Sequence, residues 1–129
     1  MSYGVLHPDE FEWITRPHDP GEPARHVAEL SDLVGFAHVR GNVWRYEPGA
    51  VGRRHRHVAQ EETFVVLAGT LTMYLGEPPA RVDVETGGVV RVDPGTELQT
   101  ANHGDRDLVV YAYGYPPETE NAELLDPVV

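Results

Sequence analysis

Cysteine and lysine are both absent from this 129-residue chain. Without a thiol there is no disulfide, no thiolate nucleophile and no cysteine-ligated zinc. Without a lysine there is no Schiff-base chemistry and no lysine general base; the ten basic residues are all arginine. Serine occurs only at Ser2 and Ser31, and no G-x-S-x-G nucleophile turn is present. No apolar run approaches the ~18 residues that a membrane span needs. The segment from Met1 to Trp13 is acidic and lacks the apolar core of a secretory signal, so a soluble, cytoplasmic protein is expected. Positive charge is scarce as well. The 21 acidic residues give a net charge of −11, a field that repels phosphate backbones, so nucleic acid is not an expected partner.

What the chain does have is short apolar runs cut by turn residues. Candidate strands are Val34–Arg40, Asn42–Tyr46, Thr63–Leu67, Thr70–Leu75, Arg81–Val84, Val89–Val92, Leu98–Ala101 and Leu108–Tyr113. Between them lie Glu47-Pro48-Gly49, Gly76-Glu77-Pro78-Pro79, Thr86-Gly87-Gly88, Asp93-Pro94-Gly95 and Asn102-His103-Gly104-Asp105, the last read as a hairpin turn. Arg25 to Leu33 reads equally as strand or helix. Many short strands rich in β-branched and aromatic residues predict an all-β fold, a double-sheet jelly roll or barrel. One domain suits the length. It divides into an N-terminal extension at 1–33, a barrel at 34–115 and an acidic tail at 116–129 that wraps the surface or is loose. Gly87 and Gly88 follow a strand but open no helix, so they form no phosphate loop.

The chemistry concentrates in one stretch, Gly49 to Gly69. On an extended backbone residues two apart share a face, so His55 and His57 point to the same side. Glu62 begins the next apolar strand and can reach the same point. Two imidazoles and one carboxylate suit a first-row divalent ion (Zn, Fe, Mn, Ni or Cu) and leave coordination positions open. Arg53 shares their parity and is a candidate for holding a carboxylate or phosphate. Arg54 and Arg56 have the opposite parity and are expected to face solvent or an acidic partner. Phe64 and Val66 follow Glu62 inward; Glu61 points out. Trp44 and Tyr46 line the pocket or belong to the core. His38, alone on its strand, reads as a hydrogen-bonded core or surface group.

The spacing G-x5-H-x-H-x4-E-x6-G, met by Gly49, His55, His57, Glu62 and Gly69, resembles the first motif of the cupin superfamily. More closely, the chain resembles its small single-domain members of the conserved-barrel, cupin 2 type. The resemblance implies a cupin-type double-stranded β-helix holding one divalent metal, with His55, His57 and Glu62 among the ligands. The second cupin motif, G-x5-P-x-G-x2-H-x3-N, is incomplete. Anchored on Gly87, Gly95 and Asn102, it places Leu98 in the histidine slot. Anchored on Gly88 and Pro94, it places Gln99 there, as a weak extra ligand. A shift of one residue turns every side chain to the other face. The Leu98 register matches more of the motif.

Two functional readings follow. One is a metal-binding barrel that binds and transforms a small polar molecule, with dioxygenase- or isomerase-like chemistry by analogy, in a pocket lined by Arg53, Phe64, Val66 and Leu98. The other is a non-enzymatic cupin, a small-ligand binding or sensing module with an incomplete metal site. The sequence does not decide whether the chain is an enzyme. A purely structural dimerisation module ranks last, because it leaves the inward histidines unexplained. Exposed strand edges suggest a homodimer, with the N-terminal segment reaching across to the partner.

Overall fold

Short antiparallel strands form two facing sheets with a cavity between them. The computed structural model describes residues 2–118 and 122–129. Among these, eleven strands occur: β1 (Ile14–Thr15), β2 (Arg25–Glu29), β3 (Arg40–Tyr46), β4 (His55–Arg56), β5 (Glu61–Ala68), β6 (Leu71–Leu75), β7 (Ala80–Val84), β8 (Val89–Val92), β9 (Leu98–Ala101), β10 (Leu108–Tyr115) and β11 (Glu123–Leu124). The six-stranded sheet has the order β1-β2-β3-β10-β5-β8, and the five-stranded sheet β11-β4-β9-β6-β7. All strand pairs are antiparallel. Helix is confined to a 3-10 turn at Pro8–Glu10 and a π turn at Ser31–Gly35. The all-β double-sheet jelly roll expected from the turn pattern is the fold observed, in the double-stranded β-helix form that the resemblance implies.

The main core fills the space between the sheets. Leu71, Met73, Leu98, Leu108, Val66 and Val110 are buried there. A second apolar layer covers the outer face of the larger sheet. Ala28, Leu30 and Val43 lie in it, packed by Leu6 and Phe11 from the N-terminal segment and by Leu33, Val34 and Phe36. The central strands β3 and β10 are therefore apolar on both faces, as strands covered on two sides must be.

This second layer explains the main departure from the sequence reading. Val34–Arg40 is not a strand. Ser31–Gly35 coils into the π turn, and β3 begins only at Arg40. The apolar residues 33, 34 and 36 cover the sheet instead of joining it, and His38 lies exposed in the connection. The ambiguous stretch Arg25–Glu29 is strand β2, paired with β3.

The segment 102–105 is not a hairpin turn. It joins β9 and β10, which belong to opposite sheets. Asn102, 1% exposed, fastens this crossing. Its Nδ2 donates to the carbonyls of Tyr46 (2.9 Å) and Arg106 (2.8 Å), and its Oδ1 accepts from the Gly104 N–H at 3.0 Å. The tail wraps the smaller sheet: β11 pairs with β4, and the Leu125 N–H donates to the Arg54 carbonyl at 2.9 Å. No helix among the described residues is long and apolar enough to cross a membrane.

Candidate metal centre

Strand β4 is short, yet its position is well fixed. His55 lies opposite Leu98 of β9, and β11 closes the other side. Alternation then turns His55 and His57 into the cavity, while Arg56 turns outward to Glu123 (Nε–Oε2 2.8 Å). Glu62, second in β5, faces in with Phe64; Glu61 is exposed. One donor atom from each of His55, His57 and Glu62 lies within 4.8 Å of the others. His57 Nε2 and Glu62 Oε1 are 3.2 Å apart, and the imidazoles meet edge to face at 5.0 Å.

The remaining ring nitrogens are tied back. His55 Nδ1 lies 2.9 Å from the Arg53 carbonyl. A carbonyl only accepts, so Nδ1 carries the proton and Nε2 keeps its lone pair for the cavity. His57 Nδ1 lies 2.9 Å from Glu118 Oε2. Glu118 Oε1 also accepts the N–H groups of Ala59 (2.8 Å) and Gln60 (2.9 Å). Sequence reasoning missed Glu118. It lies in the acidic tail, 56 residues beyond Glu62, and no spacing rule links it to the histidines. Its only signal was an acidic residue soon after Pro116-Pro117.

These contacts shift two titrations. The hydrogen bond to the Glu62 carboxylate holds His57 above the ordinary histidine value of 6.5; burial opposes this, and the charges of Glu62 and Glu118 reinforce it. For Glu118, burial disfavours the charged form. The hydrogen bonds from Ala59, His57 and Gln60 outweigh that and bring its pKa down to about 2.

The donor set fits a divalent ion. Three donor atoms gathered within 4.8 Å, two imidazole nitrogens and one carboxylate oxygen, with outer partners fixing both imidazoles, meet the requirements for such a centre. Glu118→Gln is accordingly expected to weaken metal affinity by about 10–100-fold with little change in fold, as measured by calorimetric titration and circular dichroism.

The pH dependence has a defined sign. In metal-free protein the His57 contribution to stability is fully present below pH 6.5 and is lost as pH rises through its raised value. The Glu118 contribution is fully present above pH 4.5 and is lost as pH falls towards about 2. Metal binding must displace the His57 proton. Apparent affinity is therefore expected to rise by up to about tenfold per pH unit until pH exceeds the raised value, with proton release. Calorimetry in buffers of different ionisation enthalpy measures that release.

The cavity has a volume of about 380 Å³, within the usual ~300–1,000 Å³ of small-molecule sites. Phe64, Leu98, Trp44, Tyr46 and Arg53 line it. Tyr46 Oη and Thr100 Oγ1 form a buried hydrogen bond of 2.7 Å in its wall.

Leu98 faces the cavity. Gln99 is on the opposite face of β9 and is no ligand here: its Nε2 donates to the Gly52 carbonyl at 3.0 Å, and its Oε1 accepts from the Val128 N–H at 2.8 Å. The register follows from the turns, because Gly87 and Gly95 have φ of +89° and +82°, which side-chain-bearing residues rarely adopt. Gly95 also ties this turn to the site through its N–H, 2.8 Å from the His57 carbonyl.

Val66 does not line the cavity. It is buried in the core beyond Phe64, one step further along β5. Arg54 does not face solvent, and Arg56 is only partly exposed. Arg54 is buried against Glu77 (2.9 Å) and the Asp126 carbonyl, and Arg56 pairs with Glu123 of the tail.

Two antiparallel sheets wrapped around an inward His-His-Glu set define a small β-barrel with a candidate metal centre. The family model for a cupin domain matches residues 42–113, and the chain belongs to the cupin family. Solved structures agree on the fold. An uncharacterised conserved protein with a double-stranded β-helix domain from Klebsiella pneumoniae superposes with a TM-score of 0.71 at 22% identity, covering 95% of this chain and 97% of that one. A cupin-superfamily sugar phosphate isomerase from Silicibacter pomeroyi gives 0.74 at 23% identity, over 88% and 76%. A predicted oxalate decarboxylase from Thermotoga maritima gives 0.75 at 20% identity, over 88% and 99%. No curated protein matches the chain in sequence.

Proposed function

We propose that this cupin holds one divalent ion through His55, His57 and Glu62 and binds a small polar molecule against it, in the cytoplasm. The observation that carries this reading is the convergence of three donor atoms within 4.8 Å at the wall of an organic-sized cavity. A bound ion (Zn, Fe, Mn, Ni or Cu) supplies Lewis acidity or a redox centre. The chain's own residues do the rest. The Arg53 carbonyl and Glu118 orient the two imidazoles. Leu98 and Phe64 keep water from one side of the site, and the Tyr46–Thr100 hydrogen bond stiffens its wall. An isomerase- or dioxygenase-type reaction suits such a site, and the resemblance to a structure named a sugar phosphate isomerase supports the former.

Stripping the protein with chelator and titrating it with Zn²⁺ and Mn²⁺ tests the reading. One ion per chain, with dissociation at or below the micromolar range, is expected; no saturable binding of either ion would end it. A second reading, a non-catalytic binding or sensing module, is favoured by the apolar Leu98 where a fourth donor would stand. Recovery of bound molecules unchanged from metal-loaded protein would support it. We also propose a homodimer formed through sheet edges such as β7, where Val82 is 39% exposed. Sedimentation showing only monomer at micromolar concentration would contradict that.

A further inference from the structure

Arg16, Arg25, Arg40 and Arg53 all line the same cavity. The chain has 21 acidic residues and ten arginines, so four arginines at one concave surface are a marked local reversal of charge. Of the other six arginines, Arg45, Arg54, Arg56, Arg81 and Arg91 are each paired with a carboxylate, and Arg106, exposed in the segment before β10, has no such partner among the described residues. Among the described residues, none of the four cavity arginines has such a partner. Three carboxylates share the cavity with them, Glu29, Glu62 and Glu118. Glu62 and Glu118 are already engaged with His57. A divalent ion would add to the positive excess.

Strand register shows where these arginines stand relative to the metal centre. Arg40 lies opposite Gly114, and Gly114 lies opposite Glu62. Arg40 and Glu62 thus occupy one cross-strand row, about 9–10 Å apart at the backbone given the usual strand spacing, with a glycine between them. Arg53 precedes His55 by two residues and has the same parity. Arg25 lies opposite Tyr46. Its guanidinium carbon is 5.4 Å from the Trp44 ring centroid and 5.8 Å from that of Tyr46. A guanidinium held against aromatic rings keeps its in-plane N–H groups free for a carboxylate or phosphate. Trp44, Phe64, Leu98, Val110 and Ala112 give the same cavity its apolar lining, beside the polar Asn42, Gln60 and Thr100.

We propose that the ligand of this cavity is a small organic anion. Its carboxylate or phosphate is held by Arg25, Arg40 and Arg53, with Arg16 adding charge at the rim, while its other polar end meets the metal centre. This deepens the functional reading above and rests on it. A neutral sugar or an amine fits the charge of the cavity poorly, because unpaired guanidinium groups lose hydration without gaining a partner.

The test is calorimetric titration of zinc-loaded and metal-free protein with malonate, ribose 5-phosphate and, as the neutral control, ribose. At least one anion is expected to bind about tenfold or more tightly than ribose, as loss or gain of a charged hydrogen bond implies. Which anion binds distinguishes a carboxylate end from a phosphate end. Arg40→Gln and Arg53→Gln, both exposed positions that should fold normally, are each expected to weaken that binding by about fivefold or more, with one zinc ion per chain still bound. Arg81→Gln removes the same charge on β7, away from the cavity, and is expected to change nothing. Equal binding of ribose and both anions, or anion binding unaltered in both cavity variants, would overturn the proposal. Failure of zinc to bind, with anion selectivity retained, would instead count against the metal reading alone.

Discussion

Replacing His55 and His57 together by alanine is expected to abolish saturable divalent-metal binding, a loss above the 10–100-fold typical of an outer-shell change. The fold should survive. Neither histidine belongs to the two apolar clusters, and β4 is held by backbone pairing to β9 and β11 on either side. The metal-free variant should nonetheless be less stable than metal-free parent below pH 6.5. There the parent's protonated His57 bridges Glu62 and Glu118, whose side chains are 16% and 7% exposed. Removing the imidazole leaves two carboxylates near each other without the shared cation, which raises the cost of ionising them. Titration calorimetry gives the affinity, and urea denaturation with a far-UV spectrum gives the stability and fold. Unchanged metal stoichiometry in the double variant would place the ion elsewhere.

Leu98→His should have a large effect of opposite sign. Leu98 is 1% exposed, lines the cavity and stands opposite His55 across the β4–β9 pair. An imidazole there is positioned to add a fourth protein ligand and replace a solvent position, so metal affinity should rise by about tenfold or more. The metal-free variant should be destabilised by about 1–3 kcal/mol, because a buried leucine gives way to a polar ring without a partner. Gln99→His separates this effect from a general gain of a histidine. Gln99 faces the other way and accepts the N–H groups of Val128 and Val129 in the tail. Its replacement should loosen the tail and leave metal affinity as it was. Equal tightening by both substitutions would show that neither side chain acts by facing the ion.

The fold was legible in sequence wherever one face of a strand is apolar and turns are marked by Pro, Gly, Asn or Asp. Val89–Val92 and Leu98–Ala101 were read with their observed bounds. It was illegible where apolar residues cover a sheet instead of joining it. Leu33, Val34 and Phe36 have strand-like composition, but they pack flat on the outer face of β2, β3 and β10. No local pattern distinguishes those two uses of the same residues. The inward set His55, His57 and Glu62 could be named because two-residue periodicity and one motif bring them together. The choice between Leu98 and Gln99 turned on backbone conformation, since Gly87 and Gly95 occupy positions of positive φ and Gly88 does not. Glu118 and the arginines at 16, 25 and 40 come from distant segments. Only strand pairing and the path of the tail bring them to the cavity, so their role is a property of the tertiary structure.

Anomalous diffraction at the zinc edge, from crystals of zinc-loaded protein, tests the central claim most directly. The account predicts one strong peak per chain inside the barrel, about 2.0–2.2 Å from a ring nitrogen of His55, a ring nitrogen of His57 and a carboxylate oxygen of Glu62. A peak bound elsewhere, or no peak in the barrel at saturating zinc, would contradict it.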